Sequence, residues 1–252
     1  MTTSTNQGSP YGGLMTLGIS QFNTSDFPQA IKTFNLAYET TKDSQEKANA
    51  LHQLGLVYTK TGQLKKAMRT LDQADVHALI LDNEAHHADL LRDRAWVYLM
   101  RYQRNPLARW VGNAHLEDAN ELLLESWEIL SRLEQFEKAA VSQSYLGRIE
   151  LLRGDYRTAT LIFDQMDDEI TSEDSPDLTY LLNLRMWRLR ATTDKAERRL
   201  LLEDILPLIK KTGQTSRSLE IKVIMFGGER LYRVLQWIPA PIERLIRKIL
   251  GK

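Results

Sequence analysis

The sequence predicts an all-α chain of about five stacked helical hairpins, an α-solenoid, closed by a C-terminal capping helix. Three observations predict it. Apolar residues recur with the helical period from about Gly13 to the end. A phrase of small and large residues appears three times at matching spacing. Turn-forming residues fall at the same place within each copy. The clearest copy reads Leu51, Leu54-Gly55, Tyr58 and Gly62, followed by Ala67, Leu71 and Ala74. A second runs Leu146-Gly147, Gly154-Asp155-Tyr156, Ala159 and Phe163, and a third Leu14, Leu17-Gly18, Asp26-Phe27, Ala30, Phe34 and Ala37.

Each element follows from these residues. Leu51, Leu54, Leu56 and Tyr58 belong to one helix, and Leu64, Ala67, Met68 and Leu71 to the next. Gly55 and Ala67 are small because two helices of a hairpin cross closely there. Gly62 lies where the chain reverses, a place for a residue tolerant of positive φ. Pro28 occupies the first turn of the second helix in the opening hairpin. Further on, a helix from about residue 84 to 102 carries Leu91, Ala95 and Tyr98. Its partner starts near Leu116, with Ala119 and Leu123 inside. Between them lies an insertion, residues 103–115, with Pro106, Trp110 and Gly112. An acidic stretch over 164–177 reads as a linker, and 177–190 with 195–211 as a degenerate pair without the small residues. From 216 to 237 another helix or broken pair follows, interrupted by Gly227-Gly228.

The predicted organisation is a flexible tail over 1–13, a repeat domain over 14–237, and a basic amphipathic helix over 238–252. In that last helix Ile242, Leu245, Ile246, Ile249 and Leu250 form one apolar stripe opposite Arg244, Arg247, Lys248 and Lys252. A cap that seals the last repeat is the first reading, and a membrane or partner contact is the second.

The recurring phrase resembles the tetratricopeptide repeat (TPR), a 34-residue helix–turn–helix unit that stacks into a right-handed solenoid. The resemblance implies a binding scaffold rather than an enzyme. It also implies that the first helix of every repeat lines a concave groove. Carried onto this chain, the groove residues are Asn49, His52, Gln53, Leu56 and Lys60, then Asp89, Arg92, Asp93 and Trp96, then Ser144, Tyr145, Arg148 and Leu152, with Arg185 and Arg188 continuing the line. A mixed wall of this kind, with Arg forks and aromatic anchors, fits an extended or helical peptide. Members that grip the C-terminal carboxylate of chaperone tails need Lys and Asn where this chain has Met15, Ile19 and Leu56, so that role is not expected.

Composition narrows the rest. The 252 residues are 42% hydrophobic and 26% charged, with 33 basic and 33 acidic side chains. No global field therefore draws the chain to nucleic acid, and membrane contact is expected only through the final helix. Cysteine is absent, which excludes disulfides and thiolate chemistry. The first thirteen residues lack the basic start and apolar core of a signal peptide, so a cytoplasmic protein is expected. Among the histidines only His77, with His86 or His87 and Glu84, forms a local cluster. It lacks the HExxH spacing, and adjacent histidines diverge by about 100° on a helix. No phosphate loop, dinucleotide fingerprint or nucleophile elbow occurs. The expected function is a protein-interaction adaptor without cofactor or metal. A peptide-sensing regulator acting on a separate effector, and a structural subunit of a larger assembly, are the alternatives.

Overall fold

Short oxygen-bearing side chains open most of the helices. The computed structural model describes residues 9–104, 113–171, 177–214, 217, 220–222 and 224–225. Ser9 caps α1 (Pro10–Asn23), Asp26 caps α2 (Phe27–Thr40) and Asp43 caps α3 (Ser44–Lys60), each accepting from a backbone N–H of the first turn. Then come α4 (Leu64–Ile80), α5 (Glu84–Arg104), α6 (Ala114–Arg132), α7 (Phe136–Arg153) and α8 (Tyr156–Thr171). Asp177 and Asp194 cap α9 (Leu178–Ala191) and α10 (Lys195–Thr212). The described residues form no strand.

At five of the described connections the chain reverses through a left-handed residue. Gly62 and Gly154 take the left-handed conformation, with φ of 77° and 90°. Ser25, Asp82 and Glu134 adopt it without being glycine. At Ser25, Gly62, Asp82 and Glu134 the following N–H reaches back to the preceding helix's last turns, as in Gln63 to Tyr58 and Asn83 to Ala78. Some turns within hairpins and some between them thus share one geometry, whereas the chain leaves α2 and α9 through the extended Thr41 and Thr192.

The hairpins close on the small residues. A Cβ placed on Gly18 would meet the Phe34 ring at 2.5 Å, one on Gly55 would meet Leu71 at 2.6 Å, and one on Gly147 would meet Phe163 at 2.7 Å. Glycine and large residue keep the same sequence spacing in all three. Phe34, Leu71 and Phe163 are fully buried, and so are Ala30, Ala67 and Ala159 one turn before them. In the α5–α6 hairpin Ala95, Ala119 and Leu123 are buried in the same roles.

The helices group into two compact units. One comprises α1 to α6 with α7 as far as Ser142, and the other the chain from Gln143 onward with α8 to α10. Within the first unit α1, α3 and α5 lie side by side, while α2 packs against α1 and α3, and α4 against α3 and α5. In the second, α9 packs on both α8 and α10.

Two expectations change. Helix α1 begins at Pro10, inside the stretch read as a flexible tail, because Ser9 caps it and the Tyr11 hydroxyl donates to the Glu46 carbonyl at 2.9 Å. The acidic stretch at 164–177 is helical as far as Thr171. There Asp167 accepts two hydrogen bonds from Arg185 and Asp164 pairs with Arg188, so charge that reads as a linker instead bonds α8 to α9. The heart of the expected insertion, with Pro106, Arg109, Trp110 and Gly112, lies outside the described residues, as does the expected final helix over 242–250. Gln103 and Arg104 complete α5, and Ala114 and His115 begin α6.

Two outcomes follow for unfolding measurements. Gly55→Val costs about 1–3 kcal/mol by overpacking and Leu71→Ala about 2–5 kcal/mol by cavity formation. Combined, they cost less than their sum, because Leu71→Ala vacates the space that the valine fills. Gln63 begins α4 without a side-chain cap bond, so Gln63→Asp raises stability by about 1 kcal/mol.

Candidate functional site

Where α3 and α5 lie side by side, a run of polar side chains crosses between them. The backbone N–H of His86 donates to Asn83 Oδ1 at 3.1 Å, capping α5. That bond sets the Asn83 amide, whose Nδ2 donates to Gln45 Oε1 at 2.9 Å. Gln45 Nε2 therefore faces His86 Nδ1, at 3.3 Å, and donates to Asn49 Oδ1 at 3.1 Å. His86 Nε2 lies 3.1 Å from His52 Nδ1, and His52 Nε2 lies 2.6 Å from Asp93 Oδ2.

The polarity of this chain is fixed at both ends. A backbone N–H can only donate and an ionised carboxylate can only accept. With both rings neutral, each nitrogen then has one role: Gln45 donates to His86 Nδ1, His86 Nε2–H to His52 Nδ1, and His52 Nε2–H to Asp93. Burial, and the nearby His52, hold the His86 imidazole down at about pKa 4, in keeping with a neutral ring.

A charged group flanks the chain. Arg92 Nη1 donates to Asp89 Oδ1 at 2.7 Å, its Nε lies 3.7 Å from Asp93 Oδ1, and Lys138 Nζ donates to Asp89 Oδ2 at 2.8 Å. Burial acts to raise the Asp89 carboxyl, yet Arg92 and Lys138 hold it below the usual carboxylate range. His86 and His87, read as members of one cluster, part company. His86 turns to α3, whereas His87 Nδ1 bonds Asp75 of α4 at 2.5 Å, which raises its pKa. Asp75 also accepts from Arg94 at 3.2 Å. Among the described residues no three His, Asp or Glu side chains could hold a metal ion.

Of the residues assigned from sequence, Asn49, His52, Arg92 and Asp93 belong to this assembly. Gln53 and Trp96 are half-buried on the same two helices, and Lys60 is exposed at the end of α3. In the second unit the Arg148 guanidinium stacks 4.0 Å from the Trp187 ring and 4.9 Å from Tyr145. Arg190 covers Trp187 at 4.1 Å. Arg148 is only 6% exposed; this is a packed stack rather than an open wall. Arg185 is committed to Asp167.

Gln45, Asn83, Lys138, Trp187 and Arg190 carry no local sequence signal for these roles, and His86 reads only as part of a histidine cluster. His86 is not the repeat equivalent of His52: α3 begins at Ser44 and α5 at Glu84, so Arg92 holds the place in α5 that His52 holds in α3.

Comparison with known proteins supports the architecture. No family model matches the chain, and no curated protein does. A solved structure of a Podosopora anserina putative kinesin light chain with nearly identical TPR-like repeats is similar. It has a TM-score of 0.58 at 17% identity, over 81% of this chain and 98% of that one. A single-residue variant of the same repeats reaches a TM-score of 0.60 at 17% identity, over 81% of this chain and 96% of that one. BtubC (BKLC) from P. vanneervenii is similar too, with a TM-score of 0.58 at 15% identity, over 85% of this chain and 80% of that one. The fold is that of a TPR-like helical repeat protein. Such a fold is generally a protein-interaction module. No helix among the described residues is long and apolar enough to cross a membrane.

The stack around Trp187 alters what an alanine at position 148 reports. Arg148→Ala removes a desolvated guanidinium from two rings and costs about 2 kcal/mol, seen as a lower urea midpoint followed by tryptophan fluorescence. Arg148→Lys recovers only part of it, because an ammonium cannot stack as a plane.

Proposed function

We propose that this chain is a cytoplasmic protein-interaction adaptor that receives a peptide or protein segment along the face of α3 and α5. The observation that carries this reading is the composition of that face. Gln53, Trp96 and Lys60 share α3 and α5 with a polar chain, ending on Asn49 and Asp93, whose own hydrogen bonds are already made, so the surface is ordered before any partner arrives. A preformed surface loses little conformational entropy on binding, and a half-buried tryptophan is the residue type that most often anchors an interface. The TPR-like fold supports the same reading, since first helices of such repeats present the binding wall.

A second reading, a subunit of a larger assembly, is favoured by one feature. Val76, Leu79 and Ile80 form an exposed apolar stripe on α4, at 56%, 58% and 70% exposure.

One experiment separates the two. A photo-crosslinking residue replaces Gln53 in one variant and Val76 in another, and both are irradiated in native cell extract. The adaptor reading expects a discrete protein adduct from position 53, reduced roughly tenfold or more by Trp96→Ala in the same chain. Adducts from position 76 alone, or an adduct at 53 indifferent to Trp96→Ala, overturn it in favour of assembly through α4.

A further inference from the structure

We propose that the His52–His86 pair makes the junction between α3 and α5 acid-sensitive: a proton added to either ring cannot be accepted without breaking the hydrogen-bond chain that joins the two helices. The argument is one of donors and acceptors. If His86 gains a proton at Nδ1, two donors face each other across the 3.3 Å gap to Gln45 Nε2. Turning the Gln45 amide relieves that contact but sets its NH₂ against Asn83 Nδ2, and costs the bond to Asn49. Turning Asn83 in response removes the acceptor that caps the His86 N–H. If the proton goes instead to His52 Nδ1, His86 must accept at Nε2 and carry its own hydrogen at Nδ1, and the same sequence follows. The carboxylate of Asp93 offers no relief, since it accepts from His52 Nε2 in either state.

The ionisable groups around the pair do not supply a substitute. From α5 come Asp89, Arg92 and Asp93, engaged with one another and with Lys138 of α7. From α4 comes Asp75, held by His87 and Arg94. From α6, Glu125 and Arg132 approach His87 and Glu84. On the far side of α3, Tyr11 of α1 is pushed up to about pKa 12 by burial and is silent in acid, and Lys47 covers Tyr38 of α2.

The sign of the effect follows from linkage. His86 binds its proton near pH 4 in the folded chain and near 6.5 when unfolded. Between those values the unfolded state binds more protons, so stability present above pH 6.5 is lost as the pH falls toward 4. His87 has the opposite sign. Its pKa is raised by Asp75, so its contribution is present below the unfolded value and lost as the pH rises past the folded one. The two therefore act on opposite sides of 6.5. This proposal stands whether or not the α3–α5 face binds a partner.

The test is urea unfolding of the full chain from about pH 7.5 to about 4.5, with His86→Gln in parallel. Glutamine offers an amide in place of the ring and does not titrate. Below about pH 6.5 the unfolding equilibrium constant of the wild type should rise by up to roughly tenfold per pH unit more than that of His86→Gln. Equal pH dependence in the two proteins overturns the proposal. Amide exchange of the wild type at about pH 7 and about pH 5 keeps it testable should the variant not fold. Protection factors in α3 and α5 should fall roughly fivefold or more beyond those in α1 and α2; uniform protection at both values contradicts it.

Discussion

The structure rests on how closely the two helices of a hairpin approach. At Gly18, Gly55 and Gly147 no side chain intervenes, and the partner helix fills the space with Phe34, Leu71 or Phe163. A helix that presents a glycine to a buried ring or leucine has one register in which it packs well, because a shift of one residue brings a Cβ into that space. Three hairpins use the device with the same spacing. Alanines one turn earlier, at 30, 67 and 159, let the second helix lie flat against the first. Repetition of one local constraint is enough to stack hairpins, since each unit needs only its neighbour for a core.

A fixed register also explains the polar chain. When hairpins stack, their first helices lie side by side. There His86, in the first turn of α5, meets His52 in the middle of α3, and Asp93, two turns beyond His86, reaches the other side of the His52 ring. Apolar packing between hairpins is tolerant of small slips, whereas a line of hydrogen bonds with one permitted direction is not. Leu51, Leu90 and Val97 bury the apolar part of this junction, and the chain from Asn83 to Asp93 gives it a single alignment.

Much of this is legible in the amino-acid sequence because the signals are local. Glycine, alanine and large residue at repeated spacing identify the hairpins, and Gly62 marks a reversal that takes φ of 77°. What stays hidden depends on partners distant in sequence. Asp164 and Asp167 read as linker charge until Arg185 and Arg188 are seen beside them. Arg148 reads as a groove cation until Trp187 is found stacked against it. The start of α1 escapes for a different reason: its signal, Ser9 before Pro10, is short and lies in a stretch rich in glycine. His52 and Asp93 are legible as members of one face, but their direct bond and the His52–His86 pair depend on how α3 and α5 lie against each other, which no local spacing shows.

The direction of the hydrogen-bond chain is the claim on which the account of α3 and α5 turns, and nitrogen-15 NMR of the histidine rings near neutral pH reads it directly. The account predicts that His86 is neutral and that both rings carry hydrogen at Nε2, donated by His86 to His52 and by His52 to Asp93. A His86 ring with hydrogen at Nδ1, alone or together with Nε2, would contradict it.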